Sequence, residues 1–394
     1  MTSRERIRMV MDHEMPDRVP VMCQLALGHY FLNSQRKGSD IWFDSEAFVR
    51  TLIEFQQRYR FDGLLINLPG RPANWRDYLL ASEPTAEGEK LVWRAGLETF
   101  VPPDDNPHTF LTGRQPLPRA DCDEVNPEDP ATYRTAGYVW NTWHAPTLWD
   151  IPDDADLAFA SSYPAWLTAG LRLARQLCPD VSVHVEVFSP FTHLLELFGY
   201  EKALMALLDL PETCHRLLDK FTLQVMAQVR CYAPCEPDAI LISSAFAGAG
   251  FISRKMYQEY VLPYEKRVVE AIGEHAVASY VHTCGAIGDR LDLMAATDVD
   301  GIDTLDPPPL GTVDLAKAKE AFGRRFFFKG NLDAVNEMLH ANDAAFERAV
   351  RQRLEVGKPG SGYILSSACS VAPHVKSERL ARMVELAEQY GRYD

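Results

Sequence analysis

No run of basic residues occurs anywhere in this chain, and acidic residues outnumber basic ones, 55 Asp and Glu against 40 Lys and Arg. The resulting formal net charge of −15 argues against general binding to nucleic acid or to anionic lipid, both of which select basic patches. No stretch approaches the roughly 18 consecutive apolar residues that a membrane span requires. The first residues, Met1-Thr2-Ser3-Arg4-Glu5-Arg6-Ile7-Arg8, are charged where a secretory signal would be apolar. Eight cysteines among 394 residues are too sparse and too irregular for a disulfide framework. These absences predict a cytoplasmic protein with reduced thiols. A glycine-rich phosphate loop of the Walker or Rossmann pattern is lacking too. What remains is a chain that is 46% hydrophobic and 24% charged, the composition of a globular enzyme with a substantial core.

Strand-like apolar runs alternate with amphipathic helical patterns, the signature of a parallel sheet with crossover helices. Eight such runs occur: Arg18–Gln24, Phe61–Asn67, Val181–Phe188, Asp238–Ser243, Ala276–His282, Gly301–Leu305, Arg325–Gly330 and Gly362–Ser366. Eight β/α units predict an α/β fold, a (β/α)8 TIM barrel occupying residues 1–394 as one domain. Helix signals agree: Thr2 and Glu5 form a capping-box pair, Pro211-Glu212 opens a helix to about Tyr232, and Ser253 opens one to about Ile272. Residues 69–155 break the alternation and form a long Trp- and Pro-rich insertion between the second and third strands. It holds Trp75, Trp93, Trp140, Trp143 and Trp149, and nine prolines fall between Val101 and Ala160. Lys90–Val101 reads as a short hairpin within it. Trp140-Asn141-Thr142-Trp143-His144 reads either as an aromatic lid or as self-packed filling.

In a barrel of this kind the chemistry lies at the C-terminal ends of the strands, where this chain concentrates its unusual residues. His282-Thr283-Cys284-Gly285 ends the fifth run and Ser367-Ala368-Cys369-Ser370 follows the eighth. Residues i and i+2 of a strand face the same side, so His282 and Cys284 can reach one ion, with Cys369 closing the set. One imidazole and two thiols are zinc ligands, and three protein ligands leave a position free for substrate, as catalytic zinc requires. Glu186, late in the third run, is the first candidate for a displaceable fourth ligand; the alternative is a buried structural carboxylate. His184 shares its face and reads as a satisfied core histidine. Asp303 and Asn331 are candidates to orient the ligands or to tie loops. Cys231 and Cys235, near a helix end, read as structural.

These residues carry a resemblance. Ser3-Arg4-Glu5-Arg6-Ile7, Met15-Pro16-Asp17-Arg18-Val19-Pro20-Val21, Phe191-Thr192 with Gly199, Ile252-Ser253 through Pro263-Tyr264, Gly330-Asn331-Leu332-Asp333 and Gly362-Tyr363-Ile364-Leu365 resemble the uroporphyrinogen decarboxylase superfamily. Within it, His282-x-Cys284 with Cys369 is similar to the corrinoid-linked zinc methyltransferase branch, that of the methylcobamide:coenzyme M methyltransferases. The resemblance implies a methyl group moved between a small methylated substrate or thiol and a protein-bound corrinoid, by a zinc-bound thiolate or by zinc as Lewis acid. It also implies a separate corrinoid protein as partner, since no cobalamin-binding Asp-x-His-x-x-Gly pattern occurs here. The arginine-rich Met-Arg-Gln segment of true decarboxylases is replaced by Val21-Met22-Cys23-Gln24. The two-glutamate, one-histidine zinc set of another branch has no counterpart upstream of His282. Where many relatives carry acidic residues after the fourth strand, this chain reads Ser243-Ser244-Ala245-Phe246-Ala247-Gly248-Ala249-Gly250.

Three readings therefore stand: a zinc- and corrinoid-dependent methyltransferase, a zinc-free decarboxylase-like lyase acting on a carboxylated substrate, and a zinc-carrying binding protein without turnover. Stoichiometric metal separates the first from the second. Product formation separates it from the third.

Overall fold

The computed structural model describes residues 1–68, 70–94, 96–129, 132–133 and 164–393. The segment Trp140–His144 lies outside them. Eleven strands are present among the described residues: β1 (Gly63–Ile66), β2 (Leu79–Thr85), β3 (Gly88–Trp93), β4 (Leu97–Val101), β5 (His108–Leu111), β6 (Ser182–Phe188), β7 (Ala239–Ser243), β8 (Ala278–His282), β9 (Gly301–Thr304), β10 (Phe327–Leu332) and β11 (Tyr363–Ser367). Seven form one parallel sheet in the order β1-β6-β7-β8-β9-β10-β11. Each coincides with a run expected from sequence, because strands buried on both faces read as continuous Val, Ile and Leu.

The eighth expected strand, Arg18–Gln24, makes only isolated bridges, among them a parallel one from Val21 to Leu365. Its backbone nevertheless serves both sheet edges. Met22 N donates to Leu365 O on β11 and Leu365 N donates to Pro20 O, while Asp62 N, just before β1, donates to Val21 O. The sheet is therefore curled. Pro20, within the segment, lacks the donor that a regular ladder needs. A buried carboxylate fixes this seam: Asp62 accepts from Ser3 Oγ at 2.9 Å, Arg6 Nη1 at 2.6 Å, Arg18 Nη1 at 2.8 Å and Val21 N at 2.8 Å.

Curling also explains the core. Leu65, Leu241, Tyr280, Phe327 and Ile364 come from strands that are mostly not neighbours, yet they form one apolar cluster with Ile7, Val10, Met11 and Met22. The first three of those last residues belong to the helix Ser3–Met11, whose Thr2 cap accepts from Glu5 N while Glu5 accepts from Thr2 N. That helix plugs the interior at the end where the strands begin. The alternate positions, such as Ile66, Val185, Ile242, Val281, Ile302 and Phe328, pack outward in the larger cluster with the crossover helices. The helix Pro211–Tyr232 runs as expected. The helix opened by Ser253 ends at Tyr260, and a second runs Leu262–Gly273. Pro263 is the cause, since it has no N–H and its ring crowds the carbonyl four residues back.

Between β1 and β6 in the chain, β2 to β5 form a separate antiparallel sheet in sequential order. The hairpin expected over Lys90–Val101 is its centre, with Lys90 opposite Phe100. Trp93 is buried there and donates from Nε1 to Thr99 Oγ1. No helix among the described residues is long and apolar enough to cross a membrane.

Candidate metal centre

Going up the interior from the apolar cluster, the next inward positions are polar. On β6, His184 is fully buried between Ser182 Oγ (3.0 Å from Nε2) and Tyr280 Oη (2.9 Å from Nδ1). Burial pushes its imidazole down to about 4, so it is neutral, the satisfied core histidine. Two residues beyond Tyr280, β8 ends in His282, and two residues further stands Cys284. Cys369 enters from the turn after β11. Their ligand atoms all lie within 4.8 Å of one another: His282 Nε2 is 3.3 Å from Cys284 Sγ, which is 3.7 Å from Cys369 Sγ.

Metal–ligand bonds of about 2.3 Å to sulfur and about 2.0 Å to nitrogen, set at the tetrahedral angle, give edges of about 3.8 Å between sulfurs and about 3.5 Å between nitrogen and sulfur. The observed edges are near both. The far side of the ring is also prepared, because His282 Nδ1 lies 2.9 Å from Asp303 Oδ2 on β9. A carboxylate there accepts a hydrogen bond from Nδ1–H, so that once the Nε2 proton is released Nε2 is the lone-pair donor facing the thiols. The residues present thus fit a zinc ion.

The electrostatics follow from burial and pairing. Burial would raise Asp303, but Lys329 and His282 beside it hold its carboxyl down to about 2. Burial would lower His282, but its bonds to Asp303 and Cys369 outweigh this and hold the imidazole up to about 10. The two thiols divide one proton: contact with Cys369 pushes Cys284 far up, and the same contact together with His282 pulls Cys369 well down. The metal-free cluster is therefore an imidazolium beside a thiolate, and it must release protons to bind a cation.

The loops are braced around this cluster. Gly285 N donates to Asp306 Oδ2 at 2.6 Å, joining the turn after β8 to the turn after β9. Thr304 and Leu305 adopt φ of +78° and +57°, a sharp exit from β9 that brings Thr304 Oγ1 to 3.0 Å from His282 Nδ1. Gly330, at φ +152°, would carry a Cβ only 2.6 Å from Thr304 O, so no larger residue fits beside this turn.

The other expected site residues are placed differently. Glu186 projects from the interior face of β6, partly buried, and stands outside the set of mutually close ligand atoms. Burial pushes its carboxyl up to about 7, with Ser243 and His282 opposing. Asn331 donates to Leu305 O and accepts from Arg353 Nε, which puts it against the helix Asp343–Gly357 and not in the cluster. Sequence reasoning missed Lys329, Tyr280, Thr304 and Asp306. Lys329 carried a signal, a charge two positions after Phe327 inside an apolar run.

Residues 142–390 match the model of the uroporphyrinogen decarboxylase family. The chain is 31% identical over 177 residues to the uroporphyrinogen decarboxylase of Syntrophotalea carbinolica, covering 44% of this chain and 48% of that one. It is equally 31% identical over 153 residues to a methylcobamide:CoM methyltransferase of Methanosarcina acetivorans, covering 39% and 42%. The chain thus spans about half the length, or less, of the curated relatives it matches. Among solved structures, a methyltransferase from Methanosarcina mazei superposes with a TM-score of 0.69 over 99% of both chains at 15% identity, which is a likeness of fold. With the family model covering well over half of its length, this chain belongs to the uroporphyrinogen decarboxylase family.

Proposed function

We propose that the protein is a zinc-dependent methyltransferase that moves a methyl group between a small methylated substrate or thiol and a corrinoid carried by a separate protein. The observation that carries this reading is the His282, Cys284 and Cys369 cluster, spaced as three corners of a tetrahedron and backed by Asp303. Its counterpart among relatives is the match to the methylcobamide:CoM methyltransferase. Zinc held there supplies a Lewis acid that lowers the proton affinity of a substrate thiol or polarises the heteroatom bearing the methyl group. The residues of this chain do the rest. Asp303 fixes the tautomer of His282, and the two cysteines give up their shared proton and place two negative charges beside the reacting atoms. Glu186, its carboxyl pushed up to about 7 by burial and so close to half ionised near neutrality, is the displaceable fourth group in this reading. Asn331 acts on the Leu305 turn, one step removed from the ligands. In this reading the sheet is a (β/α)8 barrel with Arg18–Gln24 as its first stave and residues 69–155 as an insertion.

A lyase reading is favoured by the decarboxylases among the relatives, and one experiment separates the two. Metal content is measured by elemental analysis on folded, reduced wild type and on Cys284→Ala and Cys369→Ala, followed by demethylation of methylcobalamin with thiols. The expected result is about one zinc per chain, lost in both variants along with methyl transfer. A wild type that neither contains nor takes up zinc would overturn the methyltransferase reading in favour of the lyase.

A further inference from the structure

Lys329 is not a ligand, yet it lies behind the cluster in a position that ordinary packing does not explain. Its side chain and that of Asp303 are each only 3% exposed, and a lysine is rarely buried so deeply without a task or a partner. Its Nζ donates to Asp303 Oδ1 at 2.9 Å. The other oxygen, Oδ2, is the one 2.9 Å from His282 Nδ1. The register explains the meeting: β9 lies between β8 and β10, with Asp303 opposite both His282 and Lys329. One carboxylate on the middle strand is therefore gripped from one side and offered to the imidazole on the other.

A competitor stands next to it. Thr304 Oγ1 is 3.0 Å from the same Nδ1, and a hydroxyl can donate as readily as it accepts. If the carboxylate turned away, Thr304 could donate to Nδ1, and the ring proton would then sit on Nε2, facing the thiols, where a cation must bind.

We propose that Lys329 is a positioning residue for the metal centre, which locks the Asp303 carboxylate so that His282 presents the lone pair of Nε2 to Cys284 and Cys369. The proposal rests on the metal reading above and deepens it. Lys329 touches no ligand and acts only through Asp303. The charge pattern agrees: a lone buried carboxylate would be expensive, and this ammonium compensates Oδ1 while the imidazole faces Oδ2.

The test is a double-substitution cycle read by zinc affinity, in competition with a chromogenic chelator, and by the visible spectrum of the cobalt(II)-loaded protein. Lys329→Met is expected to bind zinc about 10- to 100-fold more weakly than wild type, the usual effect of losing a partner of a ligand, with a changed cobalt spectrum. In the Asp303→Asn background the same substitution is expected to cost nothing further. Lys329→Gln keeps a donor for Oδ1 and is expected to stay within about tenfold of wild type, which serves if the Met variant does not fold. Wild-type affinity in folded Lys329→Met overturns the proposal. So does a loss that multiplies with Asp303→Asn, or a loss in Lys329→Gln as large as complete removal would give. Failure of the wild type itself to bind zinc strikes the functional reading instead, so the two failures are distinguishable.

Discussion

Replacing Glu265 by Gln should leave stability unchanged in acid and raise it above neutrality. Glu265 lies in the helix Leu262–Gly273, fully buried, with Oε2 accepting from Tyr257 Oη at 3.1 Å and Oε1 without a hydrogen bond of good geometry, although the Ser244 hydroxyl lies beside the carboxyl. Arg290, whose guanidinium lies over the Tyr257 ring, spends its donors on Ala247 O, Ile252 O and Asp289. Burial accordingly pushes the carboxyl from 4.5 up to about 7. The unfolded chain ionises first, so between these values the folded state holds the extra proton and stability falls as pH rises. A gap of about 2.5 in pKa at about 1.4 kcal/mol each amounts to about 3 kcal/mol lost by wild type above pH about 7. Glutamine has the same shape and no charge to lose. Urea unfolding midpoints of both proteins, taken from about pH 4.5 to about pH 8, should therefore diverge through this window and run parallel beyond it. A difference that does not change with pH would refute the reasoning.

Two further outcomes follow from the frame around the site. Asp62→Ala strips Arg18 of its carboxylate, while Arg6 keeps Asp17 at 2.6 and 2.7 Å; the loss should be about 3 kcal/mol, the low end for breaking a buried pair, measured by denaturant unfolding, and a change below about 1 kcal/mol would mean that the seam is not fixed there. Gly330→Ala places a methyl against Thr304 O at a φ that L-residues avoid, which should cost about 1–3 kcal/mol and weaken zinc binding at the adjoining His282, read by thermal unfolding and chelator competition.

Much of this was legible because each strand of the main sheet is buried on both sides. Runs such as Val181–Phe188 and Asp238–Ser243 stand out for that reason and lie within one residue of β6 and β7. His282, Cys284 and Cys369 were legible because few other chemistries want a strand-end imidazole with two thiols. Lys329 was not, because a charge in an apolar run reads as the end of a strand, and only the register with β9 shows that it points inward to a carboxylate. Asn331 and Asp303 looked alike in sequence. The structure separates them, since Asn331 finds its partners in Arg353 and Leu305. Most of the small antiparallel sheet escaped notice too, because β2 is largely exposed, β5 is only half-buried, and neither carries a continuous apolar run.

Cys284 and Cys369 are 85 residues apart in the chain, on elements separated by two intervening strands, β9 and β10. With β11 undocked, His282 and Cys284 would remain side by side and the third donor would be missing. An ion seated among all three would act as a latch across the curl of the sheet, favouring the closed molecule by an amount that grows with the logarithm of free metal over the dissociation constant. Metal supply would then set how long the last strand stays docked as well as whether a reaction runs. Depletion should appear first as faster hydrogen exchange along β11.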